Sequence, residues 1–122
     1  MIRIIKTSAI AEYINANPAH KLALEAWKTI VETSTWEKPE DIILQFGSKA
    51  IDLLGKKDNK PSTLSCKRVV FDIKGNHLRI IAKYQFHPKQ RDGWLYIKWI
   101  GTHGEYDKLN DKNLQYEVEM FK

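Results

Sequence analysis

At 122 residues and 14.2 kDa, with 43% hydrophobic, 11% aromatic and 29% charged side chains, the chain suits one compact domain over residues 1–122 and excludes disordered or fibrous classes. Twenty Lys and Arg against fifteen Asp and Glu give a net charge of +5. A single cysteine, Cys66, leaves no intrachain disulfide and fits a reducing cytoplasm. No apolar run nears the ~18 residues of a membrane span, and the apolar stretch within Met1–Lys6 is too short for a signal peptide.

The charge is unevenly placed. Residues 1–66 carry nine basic and eight acidic side chains, whereas 67–98 carry eight basic ones (Lys67, Arg68, Lys74, Arg79, Lys83, Lys89, Arg91, Lys98) against only Asp72 and Asp92. One segment therefore holds the positive field.

In chain order, Ile2-Arg-Ile-Ile5 reads as a short strand because β-branched residues suit a pleated, half-buried surface. Ser8 is placed to cap a first helix with Ile10, Tyr13 and Ile14 on one side. Asn17-Pro18 is a second helix start, Asn as cap and Pro at the first helical position. From there to about Glu32, Ala23, Ala26, Trp27, Ile30 and Val31 recur at three and four, one face of an amphipathic helix. Glu37-Lys-Pro-Glu-Asp41 starts another helix with acids in its first turn, and Gly47 ends it after Ile42, Ile43 and Phe46. Residues 47–66 are the least patterned; Ala50 to Leu54 suits either a helical turn or a short strand, and Gly55 to Pro61 reads as a charged loop.

Three strand-like runs follow: Val69–Ile73, Leu78–Phe86 after a Gly75-Asn76 turn, and Leu95–Ile100 after a loop from Pro88 to Gly93. Tyr106, Leu109, Leu114, Val118 and Phe121 then suit one or two short helices packing back on the sheet. The fold class is α+β, with N-terminal helices on an antiparallel sheet of three to four strands.

The four histidines have none of the close spacings of a metal site, and no phosphate-binding glycine motif occurs, so neither metal nor cofactor is expected. Cys66 sits beside Lys67 and Arg68 but has no nearby histidine, so it reads as a half-buried structural residue at the start of a strand. The basic runs say more. Alternation puts Arg68, Val70, Asp72 and Lys74 on one side of their strand, with Val69, Phe71 and Ile73 towards the core. In the next run Arg79, Ile81 and Lys83 share a side. Paired as a hairpin, the two runs place Arg68, Asp72, Arg79 and Lys83 on one face, either an ordinary solvated surface or a cationic platform for phosphates. Two of the chain's four arginines lie there, and Arg offers phosphate a fixed fork where Lys offers a point charge. Downstream, His103 and Tyr106 stand three residues apart: His exchanges protons near neutrality, and Tyr donates a hydrogen bond or stacks on a base. The plainer reading has Thr102 cap a helix, Glu105 complete a capping box and Tyr106 pack. Both readings are compatible.

Gly75-Asn-His-Leu-Arg-Ile-Ile-Ala82 followed by Thr102-His-Gly-Glu-Tyr-Asp-Lys108 resembles the HigB family of bacterial toxins, a branch of the RelE-like superfamily. Asn17-Pro-Ala-His-Lys21 and Trp36-Glu-Lys-Pro-Glu-Asp41 are also similar to that family's helical first half. The resemblance implies a type II toxin: an endoribonuclease that cuts mRNA on the translating ribosome without metal or cofactor, the RNA 2′-hydroxyl attacking the adjacent phosphate. It implies a small antiparallel sheet backed by helices, and a HigA-like helix-turn-helix antitoxin as partner. Arg79 matches the superfamily arginine at the scissile phosphate and takes transition-state stabilisation. His103 takes a general acid or base role, and Tyr106 base stacking or phosphate contact. Lys83, Arg68 and Lys98, with Lys67 and Lys74, are assigned to RNA backbone contacts on charge and strand parity. The family usually carries a larger residue at the Gly104 position, and residues 47–66 are longer or less regular than in its shortest members. Two other functions fit a basic sheet: a non-catalytic RNA- or ribosome-binding module, and a gyrase-inhibiting toxin of a related branch.

Overall fold

The computed structural model describes residues 1–54, 66–73, 77–87, 89 and 92–121. Lys74 and the Gly75-Asn76 turn lie outside the described residues, as do residues 88, 90 and 91 of the loop expected at 88–93 and the whole stretch 55–61 expected to be a charged loop. The described elements run β1 (Ile2–Ile5), α1 (Thr7–Ala16), α2 (Lys21–Glu32), α3 (Pro39–Phe46), β2 (Ile51–Leu53), β3 (Arg68–Ile73), β4 (Leu78–His87), β5 (Asp92–Thr102) and α4 (His103–Asp111).

The sheet has five strands in the order β1-β5-β4-β3-β2, not the three to four expected. β2 joins because Ile51 and Leu53 alternate with Asp52 and bury against β3. β1 adds a parallel edge on β5, with Ile2 and Ile4 buried. The remaining pairs are antiparallel. The α+β reading stands, with a mixed sheet.

Helix starts differ in detail from the sequence reading. α1 begins at Thr7 rather than after a Ser8 cap. Asn17 closes α1 instead of capping α2. Its backbone N–H donates to Tyr13 O at 2.8 Å, and its side-chain amide donates to the same carbonyl at 3.1 Å. Pro18 then opens a 3-10 turn, Pro18–His20, which runs into α2. A local side-chain bond to the preceding turn has outcompeted the cap. α3 starts as expected on Pro39, with Asp41 accepting from the Glu37 and Lys38 backbone, and Gly47 ends it at φ +92°, where a Cβ would be strained.

One sheet face carries the main core. Val69, Phe71 and Ile73 of β3 and Ile80 and Ala82 of β4 meet Leu24, Trp27 and Val31 of α2, Ile42 of α3 and Ile10 of α1. Phe71 sits edge-on to Trp27 and Phe46 at 5.1 and 5.4 Å and stacks on Trp36 at 6.5 Å. Each buried apolar side chain of this kind contributes about 1.5–3 kcal/mol of transfer free energy. The outer face carries a smaller cluster of Val70, Ile81 and Trp99, covered by Tyr106 and Leu109 of α4 and by Tyr116 and Val118 of the tail. The sheet is thus buried on both sides at its centre, and the functional side chains lie where that outer cover stops.

Candidate active site

The β3–β4 register pairs Asp72 with Arg79, Val70 with Ile81 and Arg68 with Lys83, so all six share the outer face. At the first pair, the Arg79 guanidinium lies 3.2 Å from Asp72 Oδ2, both side chains 17% exposed. Its other nitrogen approaches His103 Nδ1 at 2.8 Å, and its carbon stands 5.6 Å from the centre of the Tyr106 ring. β4 supplies the arginine, β3 its carboxylate, and the first turn of α4 the histidine and tyrosine.

That turn is built by its caps. Thr102 Oγ1 accepts from Glu105 N at 3.2 Å, and Glu105 Oε1 accepts from Thr102 N at 2.8 Å. This is the capping box read from the sequence. His103, Tyr106 and Asp107, at i, i+3 and i+4, consequently share one helix face. Gly101 pairs with Arg79 across the strands, and a Cβ there would run into the Trp99 ring that packs beneath Tyr106.

The Arg79–His103 contact fixes the imidazole tautomer. A guanidinium only donates, so Nδ1 accepts and the ring proton sits on Nε2, facing Asp107 Oδ2 at 3.4 Å. His103 thus turns an acceptor to the arginine and a donor to a carboxylate. Burial, then the nearby Asp52 carboxylate, pushes the Tyr106 hydroxyl up to about 12, while Arg79 pulls the other way. Tyr106 therefore stays protonated and serves as a hydrogen-bond donor. Tyr106 is 9% exposed and its ring packs against Trp99, so the ring face is covered; the stacking alternative expected for it does not suit this placement. A cleft of about 130 Å³ opens beside it, lined by Lys49, Ala50, Ile51, Asp52, Val70, Arg79 and Tyr106. That is small beside the ~300–1,000 Å³ of a small-molecule pocket, so it admits a group of phosphate size rather than a nucleotide.

The other cations expected at the site are dispersed. Lys83 is exposed four residues along β4 from Arg79, about 13 Å at strand rise. Lys67 is exposed at the start of β3. Lys98 occupies a bulge in β5 and pairs with Glu119 at 3.2 Å. Arg68 departs most from its expected backbone-binding role. It is 5% exposed, and one guanidinium nitrogen donates to the carbonyls of Gln115 and Val118 at 3.1 and 2.9 Å. Burial lowers its pKa. Parity placed Arg68 on the correct face, but the tail covers it there. Sequence reading missed Asp107, which its i+4 spacing from His103 would have flagged, and also Lys49 and Asp52, which carry no motif. Cys66 is half-buried before β3, its thiol 3.6 Å from Leu54 O. Among the described residues, no group of three or more His, Cys, Asp or Glu is placed to hold a metal ion, and no helix is long and apolar enough to cross a membrane.

A family model described as HigB toxin, the RelE-like toxic component of a toxin-antitoxin system, matches residues 20–109. The chain belongs to the HigB toxin family. Among its relatives are an mRNA interferase HigB of Escherichia coli O6:H1, 28% identical over 108 residues that span 88% of this chain and 91% of the relative. An mRNA interferase toxin HigB of Escherichia coli K12 is 28% identical over 106 residues, 87% of this chain and 88% of the relative. The mRNA interferase HigB of Shigella flexneri matches to the same extent. As the toxic component of such a system, the HigB-family chain has a cognate antitoxin as partner. The matched span contains Arg79, His103 and Tyr106 and stops short of the tail that buries Arg68. At Gly104 a Cβ would meet nothing within 4 Å, so an alanine would fit there without rearrangement.

Proposed function

We propose that this HigB-family toxin is an mRNA endoribonuclease acting in the cytoplasm on messages under translation at the ribosome, held in check by a HigA-like helix-turn-helix antitoxin. The observation that carries the reading is the contact of Arg79 with His103 Nδ1 at 2.8 Å, above the protonated Tyr106. The relatives' names, mRNA interferase, supply the substrate class.

The scissile phosphate enters the cleft and takes the donors of Arg79, which releases the Nδ1 lone pair of His103. That nitrogen accepts the proton of the RNA 2′-hydroxyl as the 2′-oxygen attacks phosphorus. The bond from phosphorus to the 5′-oxygen breaks, the 5′-oxygen takes a proton from water, and a 2′,3′-cyclic phosphate is left. Asp107 beside Nε2 steadies the imidazolium. Arg79 and the Tyr106 hydroxyl meet the charge growing on the phosphoryl oxygens. Asp72 holds the guanidinium in place.

Inducing the toxin without its antitoxin should arrest growth and create new mRNA 5′ ends inside coding regions. With purified components, cuts should appear in ribosome-bound message and not in the same RNA free in solution. Arg79→Ala should lower the cutting rate about 10²–10³-fold, the loss seen when one transition-state donor is removed, with the circular dichroism spectrum unchanged. Full toxicity of that variant would remove Arg79 from the site. Arrest with intact messages and altered DNA topology would replace the nuclease with a gyrase inhibitor, and absence of toxicity would leave a binding module.

A further inference from the structure

The outer sheet face continues past the tail, and there its side chains change character. The β1–β5 register sets Arg3 beside Trp94 and Ile5 beside Tyr96, while the β4–β5 register sets Gln85 beside Trp94 and Lys83 beside Tyr96. Two cross-strand rows result, Arg3–Trp94–Gln85 and Ile5–Tyr96–Lys83. Trp94 and Tyr96 are half-buried with ring centres 6.4 Å apart, His87 stands edge-on to Trp94 at 5.2 Å, and the Lys98 ammonium lies 5.9 Å from the Tyr96 ring. Arg3, Lys83 and Gln85 are exposed. The carboxylates bordering this patch are engaged within the protein: Asp92 accepts from Gly93 N at 2.8 Å, and Glu119 bridges Lys98.

We propose that this patch binds a single strand of RNA, with bases stacking on Trp94 and Tyr96 and phosphates meeting Arg3 and Lys83. The proposal rests on the nuclease reading for its choice of nucleic acid and extends the substrate path beyond the cleft. Aromatic rings interleaved with cations are what single strands need, because every base has a face to stack and every linkage a charge. Period-2 alternation produces the arrangement: Trp94 and Tyr96 point outward, while Leu95 and Ile97 of the same strand fill the core. Lys83 is about 13 Å from Arg79 along β4, roughly four nucleotides at the ~3.4 Å axial rise per nucleotide of a stacked strand. A strand cut at Arg79 thus has length enough to reach the rings. The tail, pinned by Arg68 and by Lys98 to Glu119, forms the border between cleft and patch.

The test uses the full chain carrying Arg79→Ala, so that RNA binds without being cut, and single-stranded oligoadenylate as the probe. Trp27, Trp36 and Trp99 are at most 9% exposed, so quenching of the indole emission reports Trp94. The expected result is saturable quenching, with Trp94→Ala and Tyr96→Ala each weakening binding about 5- to 100-fold by anisotropy of labelled RNA. Trp94→Phe should restore most of the affinity. Binding unchanged in both folded alanine variants overturns the proposal, as does absence of RNA binding by the parent. If the alanine variants lose the antitoxin and keep the RNA, the patch is a protein interface and the proposal also falls. Cleavage of ribosome-bound message by the chain without the Arg79→Ala change is scored separately. Quenching without any cutting would sink the nuclease and spare the patch, whereas cutting with unaltered binding would do the reverse.

Discussion

At one end of the outer β3–β4 face, Arg79 meets groups that titrate or donate: His103, Asp72 and the hydroxyl-bearing Tyr106. At the other end Arg68, on the same face by the same alternation, meets backbone carbonyls of Gln115 and Val118 and is 5% exposed. Both guanidiniums are planar forks rich in donors, and the partners decide what each fork does. Arg68 gives one guanidinium nitrogen to two main-chain oxygens and turns the other towards the Glu119 carboxylate at 3.9 Å, all of them on the tail, so it clamps the tail to the sheet. Arg79 has its donors on side chains that a phosphate can displace. A strand pattern thus determines which way a cation points and leaves open what lies on top of it.

The largest effect on stability that separates the two ends comes from Arg68→Ala. It removes charge-assisted bonds to two carbonyls and leaves those carbonyls under cover, which costs about 2–4 kcal/mol by urea unfolding. Cutting per folded molecule should stay within about twofold of the parent, an activity change under ~0.5 kcal/mol. The contrast with Arg79→Ala is then complete, one variant losing fold and the other losing chemistry. If Arg68→Ala leaves the unfolding midpoint in place and lowers cutting instead, Arg68 is a ligand group and the tail is a removable cover.

Tyr106→Phe probes the middle of the comparison, because it keeps the packed ring and deletes only the hydroxyl. Cutting should fall about tenfold, the ~1.4 kcal/mol of one neutral hydrogen bond to the phosphate. The same variant has a signature in stability. Tyr106 is raised from 10.0 to about 12 in the folded chain, so as pH climbs the unfolded state gives up this proton first. Stability tied to the hydroxyl is whole below pH 10 and is lost as pH rises through the window from 10 to 12. Tyr13 and Tyr84, also raised by burial, add to that slope. Tyr106→Phe should therefore flatten the alkaline decline in part, as read from unfolding midpoints at pH 9, 10 and 11. An unaltered slope would mean that the hydroxyl sits in water.

Much of this was legible in the residues themselves. The 3.6-residue repeat of α2, the Gly47 stop, the inward set Val69, Phe71 and Ile73, and the Thr102–Glu105 capping box all depend on neighbours within one turn or one strand, and local spacing reports such things well. The triad Arg79, His103 and Tyr106 became legible through family motifs, and the structure gathers the three side chains together. What escaped depends on distant pairing. The parallel β1 edge joins residues about ninety positions apart, and the burial of Arg68 depends on carbonyls 47 and 50 residues downstream. No period within a single segment encodes either one. Asn17 escaped for the opposite reason, since two local bonds were available to it and the preceding turn took it.

Gly104→Ala is the smallest and cleanest change at the Arg79 end. Gly104 follows His103 in the first turn of α4, its φ is not left-handed, and a Cβ there meets open space. Replacing glycine at a compatible position narrows the unfolded ensemble, which should raise stability by about 0.4–1 kcal/mol. Nothing at the cleft is touched, so cutting should remain at the parent level if His103 and Tyr106 act from a fixed helix start. A gain in unfolding midpoint accompanied by slower cutting would carry a different message. It would mean that the α4 start must give way when phosphate pulls Arg79 off His103, and that the glycine supplies that freedom. The Arg68 end, clamped to main-chain carbonyls, has no corresponding motion to lose, so the same backbone stiffening applied to the tail would change stability alone.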